Sequence, residues 1–363
     1  MDHRGGPPRE IEVALYELRA RTSVHRRNVP QASGFLVRWG VALFTRLGEV
    51  ELAEIAGVFE LGAVHHVRAI ATGTINSNFA VETERGRWFV RVNEGKSLAD
   101  VAWEAQLVAA LAQGGVVTPP PASARDGRPY APLGATGKWV SVFPWRAGRH
   151  LGAGEITREV AGEFGAALAG FHRTGLALPA AWRRASIYDH AHLVARHAQF
   201  AASRDPELAR AIAVLGDELA VASAASPVRE RATQGIIHGD LFRDNVLWDA
   251  GRLAAILDFE QASGGSLAYD LAVCLNDWCW DEALRLDLAA ALLEGYQRVR
   301  PLTAADREAV QVEVRAAAMR FTITRITDVY LAKVANPEKD FRAFLARCDV
   351  WRGPALGQLS SLL

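Results

Sequence analysis

The chain has 363 residues, half of them hydrophobic, and 41 basic side chains balance 41 acidic ones. That length and apolar share suffice for two moderate cores. Balanced charge excludes a broad basic field for nucleic acid, and no apolar run approaches the roughly 20 residues that a membrane helix needs. The N-terminus lacks a basic segment followed by an apolar stretch and a small-residue cleavage site, so the expected location is the cytoplasm. Cys274, Cys279 and Cys348 are odd in number and lack C-x-x-C or paired His spacing, and they read as core thiols of a reducing compartment.

In chain order, residues 1–40 are rich in Gly, Pro and Arg and carry only a short apolar pattern, which predicts a loosely held extension. The stretch "HHVRAIATGTINSNFAVETERGRWFVRVNEG" alternates between turn residues and predicts three antiparallel strands at 65–70, 78–83 and 87–92. "SLADVAWEAQLVAALAQGG" follows, with apolar residues at 101, 105, 108 and 111 and a Gly114-Gly115 stop, the pattern of one helix lying against that sheet. A proline-rich bridge leads to "KWVSVFPW", a strand running into a connector near residue 145. Beyond it, helical spacing covers 155–174, 190–223, 283–298 and 304–333. The expectation is an α+β protein of two lobes, 41–145 with a small antiparallel sheet and one main helix, and 146–363, mostly helical. No internal repeat is visible.

The one clear β element in the helical half is "IIHGDLFRDNVLWDAGRLAAILDF", residues 236–259. Val246 to Trp248 and Leu253 to Leu257 are apolar runs separated by a turn, so a hairpin there brings Asn245 and Asp258 to its open end. An amide oxygen and a carboxylate so placed suit Mg²⁺, which takes few protein ligands and fills the rest with water and phosphate. Asp240, on the loop entering the hairpin, is placed to accept a proton from a hydroxyl aligned with a metal-bound phosphate. His238 is expected to fix the loop through ring hydrogen bonds. Each of these residues alone fits a polar turn or a strand end better than a site; the combination is specific for phosphoryl transfer.

Two other features are weaker. "EGKS", residues 94–97, copies the end of a phosphate-binding P-loop, but the required first glycine is Val90. Ten Trp suggest packing rather than base-stacking platforms, since no basic stripe accompanies them.

"HGDLFRDN", "ILDF" and "YDLAVCLNDW" resemble the small-molecule kinases of the aminoglycoside phosphotransferase and choline kinase group, which share the bilobal protein-kinase fold. The closer likeness is to bacterial homoserine kinases of that fold, through "HGDLFRDNVLW", "SLAYDLAVCLNDWCW", "GTINSNFAVET", "RFTITRITD" and "PEKDFRAFLARC". The likeness runs from about Val41 to about Arg352. It implies ATP and Mg²⁺ as cofactors, Asp240 as the base, Asn245 and Asp258 as metal ligands, and Asp270 as a buried acceptor steadying the catalytic loop. It also implies a nucleotide-covering turn from Gly73 and Thr74 through Asn76 to Asn78. Glu104 matches the helix glutamate that orients a basic residue on the neighbouring strand, here Arg91 where most relatives have Lys; a purely structural Arg91–Glu104 pair is the alternative. The backbone of Val142, Phe143 and Trp145 matches the hinge that brackets adenine.

The implied acceptor is the hydroxyl of L-homoserine, a step of threonine biosynthesis. Arg243 and Arg325 are candidates for its carboxylate, and Asn276 and Asp277 for its ammonium group. Another acceptor, such as choline, ethanolamine, methylthioribose or an aminoglycoside, keeps the chemistry and changes the pocket. A nucleotide-binding regulatory module without turnover is the reading from a different class. Residues 304–333 balance four Arg against four acidic residues, which disfavours a polycationic antibiotic.

Overall fold

The structure is a computed structural model and describes residues 44–70, 76–334 and 336–363. The expected loose extension over residues 1–40, and the expected nucleotide contacts of Gly73 and Thr74, lie outside the described residues.

The described chain opens with helix α1 (Glu49–Val58) and a five-stranded antiparallel sheet. Its strands are β1 (Val64–Ile70), β2 (Ser77–Thr83), β3 (Gly86–Asn93), β4 (Ala131–Pro132) and β5 (Trp139–Pro144), in spatial order β1-β2-β3-β5-β4. The alternation of the sequence is realised within a residue or two, because Phe79, Val81, Val90, Val92, Val140 and Val142 fill one buried face together with Leu52 and Ile55 of α1. Helix α2 (Leu98–Gln113) falls between β3 and β4, with Ser97 capping it by accepting from Asp100 N at 3.2 Å. Its Leu107, Val108 and Leu111 pack into the helical core rather than the sheet's, so α2 joins the two layers.

The helical half contains α3 (Arg158–Ala177), α4 (His190–Ala198), α5 (Pro206–Ala224), α6 (Ser226–Arg231), α7 (Leu267–Asp277), α8 (Leu286–Val299), α9 (Ala304–Arg325), α10 (Phe341–Trp351) and α11 (Ala355–Ser360). Three two-stranded ribbons interrupt them: β6 (Gln234–Ile237) with β9 (Ser263–Ser266), β7 (Val246–Asp249) with β8 (Arg252–Ile256), and β10 (Trp280–Asp281) with β11 (Ala283–Leu284). Helices α3 and α8 cross closely enough that a Cβ at Gly165 or Gly295 would run into the backbone of the other helix. Phe164, Trp278, Tyr296, Phe341, Phe344 and Trp351 are fully buried, each contributing roughly 1.5–3 kcal/mol by leaving water.

Several boundaries differ from those expected. The single helix at 190–223 is two, because Asp205 caps a new start through Glu207 N at 3.0 Å and Pro206 occupies its first position. The helix expected from 283 begins at Leu286, since Ala283 and Leu284 pair with Trp280 and Asp281. The long helix from 304 ends at Arg325 and continues as a π-helical turn, Ile326–Tyr330. Helix α1 and the β6–β9 pairing were not anticipated. All three cysteines are buried and free, and Trp248, Trp278, Trp280 and Trp351 are core side chains, as packing demanded. Among the described residues no helix is long and apolar enough to cross a membrane.

Candidate active site

The loop between β6 and β7 carries Asp240, and its geometry is set from beneath. Asp270, on the first turn of α7 and fully buried, accepts from His238 N at 2.7 Å and from Gly239 N at 2.8 Å. Gly239 takes a left-handed φ of 80°, a conformation that turns both amides toward one carboxylate and that side-chain-bearing residues resist. Burial pushes the Asp270 carboxyl upward, but His172, His238 and the Gly239 amide more than offset it and hold it below its usual value. The His238 ring receives Asp240 N at Nδ1 (3.4 Å) and, at Nε2, lies 2.8 Å from Leu257 O. A carbonyl only accepts, so Nε2 carries the proton and the ring ties the Asp240 loop to the residue preceding Asp258.

The Asp240 carboxylate is gripped through both oxygens. Arg320 Nη1 lies 3.4 Å from Oδ1 and also donates to Gly239 O at 3.1 Å; Gln261 Nε2 donates to Oδ2 at 3.2 Å. Arg320 Nη2 donates in turn to Gln261 Oε1, and its guanidinium stacks 4.1 Å from the Tyr188 ring. Asn245 Nδ2 donates to Asp240 O at 2.7 Å, so its amide oxygen is left for another partner. Val246 pairs with Ile256, and Leu257 N donates to Asn245 O at 2.8 Å, which brings Asn245 and the segment entering Asp258 together at the open end of the β7–β8 hairpin.

Facing this loop is a cluster of five charges. Arg91, on β3, donates to Glu104 Oε1 at 2.9 Å and lies 3.4 Å from Asp258 Oδ1. Lys96 bridges Glu104 Oε2 at 3.0 Å and Glu260 Oε2 at 2.9 Å. Asn76 Nδ2 also donates to Glu260 Oε2, at 2.8 Å. Two cations thus meet three carboxylates. Glu260 is the better compensated: burial opposes its ionisation, but Lys96, Arg91 and Asn76 hold its carboxyl below the usual value. Asp258 is the poorer: burial and the neighbouring Glu260 push it up to about 7, against the pull of Arg91. Its side chain keeps 35% exposure, so the partly buried carboxylate stays within reach of solvent. Its backbone is left-handed, φ 63°, a conformation that costs a residue with a Cβ about 1 kcal/mol or more and that marks functional sites.

Other expectations are corrected. Asn276 is fully buried and structural: its amide donates to Ala272 O and Val314 O, both at 2.9 Å, and its oxygen accepts from Trp351 Nε1. Asp277 is bound to Arg243 through the backbone amide (2.9 Å), Nε (3.0 Å) and Nη2 (3.3 Å), so the Asp277 carboxylate and that edge of Arg243 are engaged with each other. In the connector after β5, Val142 O accepts from Ala122 N at 2.7 Å and Trp145 N donates to Arg87 O at 2.9 Å, while Phe143 lies opposite Phe89 in the β3–β5 ladder. Val142 O and the Trp145 amide are therefore already engaged within the protein, which leaves neither of these two groups for adenine. Asn78 lies opposite Arg91 across β2–β3, its buried Oδ1 without a hydrogen bond.

Sequence reasoning missed Lys96, Glu260, Gln261, Arg320 and His172. Lys96 was visible in "EGKS" but weighed only as a P-loop lysine, and Val90 does sit mid-strand, with no glycine cradle. His172 receives the Tyr296 hydroxyl at Nδ1 (2.8 Å) and contacts Asp270 at Nε2 (3.1 Å). Burial lowers its pKa despite Asp270, so it is a neutral spacer beneath the loop.

A loop aspartate steadied from below, beside an amide and a carboxylate at a hairpin end and a charged cluster under an antiparallel sheet, defines a kinase-type phosphotransferase site. The match to the phosphotransferase enzyme family covers residues 66–302, and the chain belongs to that family. It is 35% identical over 295 residues to the homoserine kinase of Caulobacter sp. (strain K31), covering 79% of this chain and 89% of that one. A spectinomycin phosphotransferase solved with ADP and spectinomycin superposes with a TM-score of 0.64 at 14% identity, covering 88% of this chain and all of that one. A choline/ethanolamine kinase family protein from Mesorhizobium loti gives 0.61 at 18% identity, covering 86% and 97%. These likenesses establish the protein-kinase-like fold. The protein is an ATP-using small-molecule kinase whose acceptor is a hydroxyl group.

Proposed function

We propose that the chain transfers the γ-phosphoryl group of ATP to the side-chain hydroxyl of L-homoserine, with Asp240 as the base. The observation that carries the chemistry is the two-handed grip on Asp240 by Arg320 and Gln261, which holds its carboxylate still where a hydroxyl proton is to be taken. The acceptor oxygen loses its proton to Asp240 and forms a bond to the γ-phosphorus; the bond to the β–γ bridging oxygen breaks and ADP leaves. The choice of homoserine is supported by the 35% identity to the Caulobacter enzyme over most of both chains.

Magnesium fits the residues present. Asn245 offers an amide oxygen whose nitrogen is already tied back, and Asp258 offers a carboxylate that its cationic neighbours leave short of compensation. When bound there, the ion neutralises phosphate charge. Arg91 and Lys96, pinned by Glu104 and Glu260, are the chain's own cations for the same phosphates.

ADP release coupled to a colour reaction, run over homoserine, choline, ethanolamine, methylthioribose and an aminoglycoside, tests this. Turnover with homoserine far above the others is the expected result, and turnover confined to another acceptor removes homoserine.

A further inference from the structure

Resting on that phosphoryl-transfer reading, we propose that Arg347 and Arg325, stacked on Phe344, form a carboxylate clamp and that Asp244 receives an ammonium group, so that the acceptor is recognised as a zwitterionic amino alcohol.

Arg347 makes no hydrogen bond or ion pair among the described residues, and its Nη1 is buried without a partner. Its guanidinium lies 4.0 Å from the Phe344 ring centroid and 5.2 Å from that of Trp280, on aromatic faces that attract the cation and leave its N–H edge unused. A buried donor without an acceptor costs about 1–3 kcal/mol, a cost that a ligand oxygen removes. Arg325 lies 4.3 Å from the same Phe344 centroid and, among the described residues, has only the Asp340 carbonyl, at 3.1 Å, as a hydrogen-bond acceptor. Arg243 is the third guanidinium nearby, but Asp277 occupies it. Two cations therefore share one ring, and among the described residues no carboxylate is bonded to either.

The clamp sits beside the catalytic loop. Phe344 packs on Phe242, centroids 5.8 Å apart, and Phe242 is two residues past Asp240. Asp240 and Asp244 are among the carboxylates close enough to act on Arg325. Asp244, the residue before Asn245, makes no hydrogen bond or ion pair among the described residues and is solvent-accessible. Opposite unpaired charges thus flank the base, the arrangement that a carboxylate and an ammonium on one small molecule satisfy together.

The full-length chain is assayed with L-homoserine, with 3-aminopropan-1-ol, which is homoserine without its carboxylate, and with 4-hydroxybutyrate, which is homoserine without its ammonium group. Arg347→Met is expected to raise KM for homoserine by about tenfold or more, and to lower the ratio of kcat/KM for homoserine over that for 3-aminopropan-1-ol by a similar factor. Because the ratio is measured on one preparation, partial misfolding cancels. Arg347→Lys, which keeps the charge without the fork, should recover part of the ratio. Asp244→Asn should lower the ratio of homoserine over 4-hydroxybutyrate instead. A fall shared equally by all acceptors makes Arg347 a packing residue and overturns the clamp. Arg347-dependent turnover of a different carboxylate-bearing alcohol, with none of homoserine, refutes the homoserine reading and leaves the clamp standing. Preference for alcohols without a carboxylate overturns the clamp, whatever the fate of the kinase chemistry.

Discussion

The catalytic loop and the charged cluster opposite it are built to different standards. Beneath the loop every polar group named is answered: Asp270 by two backbone amides and His172, His172 by Tyr296, His238 by Leu257 O and Asp240 N, Asp240 by Arg320 and Gln261. The cluster of Arg91, Lys96, Glu104, Asp258 and Glu260 is one positive charge short, and the deficit falls on Asp258. A satisfied network is stiff before any ligand arrives. An unbalanced one is completed by what it binds. Preorganisation therefore belongs to the Asp240 loop, and under the proposed function the charged cluster is left to be finished by a cation.

That contrast is open to attack at both ends. The largest effect is expected of Asp240→Asn, about a thousandfold loss of kcat with ATP affinity little changed, because the base proposed there acts on the acceptor; isothermal titration of ATP beside steady-state kinetics separates the two. Next is Asp270→Ala, which strands two buried amides and His172 and should cost about 3 kcal/mol in urea unfolding, whereas equal stability with the wild type would show the network to be dispensable. Lys96→Met should raise KM for ATP about tenfold with a smaller change in kcat, since it takes one of two cations from the phosphate side. An unchanged KM would reduce Lys96 to a strut between Glu104 and Glu260.

The smallest effect is a pH dependence of opposite sign in the two regions. A raised carboxyl pKa penalises the folded state as the group ionises, so Asp258 should erode the stability of the ligand-free protein as pH climbs from about 4 to about 7. Asp258→Asn should then raise the melting temperature above pH 7, with the gain vanishing toward pH 4. Asp270, held below its usual value, works the other way: its contribution is present above the usual carboxylate range and is lost as pH falls through its lowered pKa. A melting profile of Asp258→Asn parallel to the wild type at every pH would mean that the cluster is balanced after all.

Much of the fold was legible because it is written in periodicity. The alternation through 64–93 and the three- and four-residue spacing of 98–113 report directly which face each element buries. The hairpin bearing Asn245 and Asp258 was legible from two apolar runs and a turn. Boundaries were less so, although Asp205-Pro206 was a start signal in plain view. Asn276 illustrates the harder failure. Its place in "CLNDW" resembles a site residue, yet the carbonyls of Ala272 and Val314 and the indole of Trp351 consume it. Arg347 is the converse: one arginine among many in the sequence, distinguished by a buried Nη1 that has no hydrogen-bond acceptor among the described residues.

By itself the sequence determined the class of chemistry, since H-x-D, four residues, Asn and a hairpin ending in D-F bring an aspartate, an amide and a second carboxylate together through local geometry alone. Which cation meets which carboxylate, and which arginines stay unpaired, only the tertiary structure decided. Those pairings join residues up to 167 positions apart, as Arg91 and Asp258 are, and no local pattern records which distant partner will already be taken.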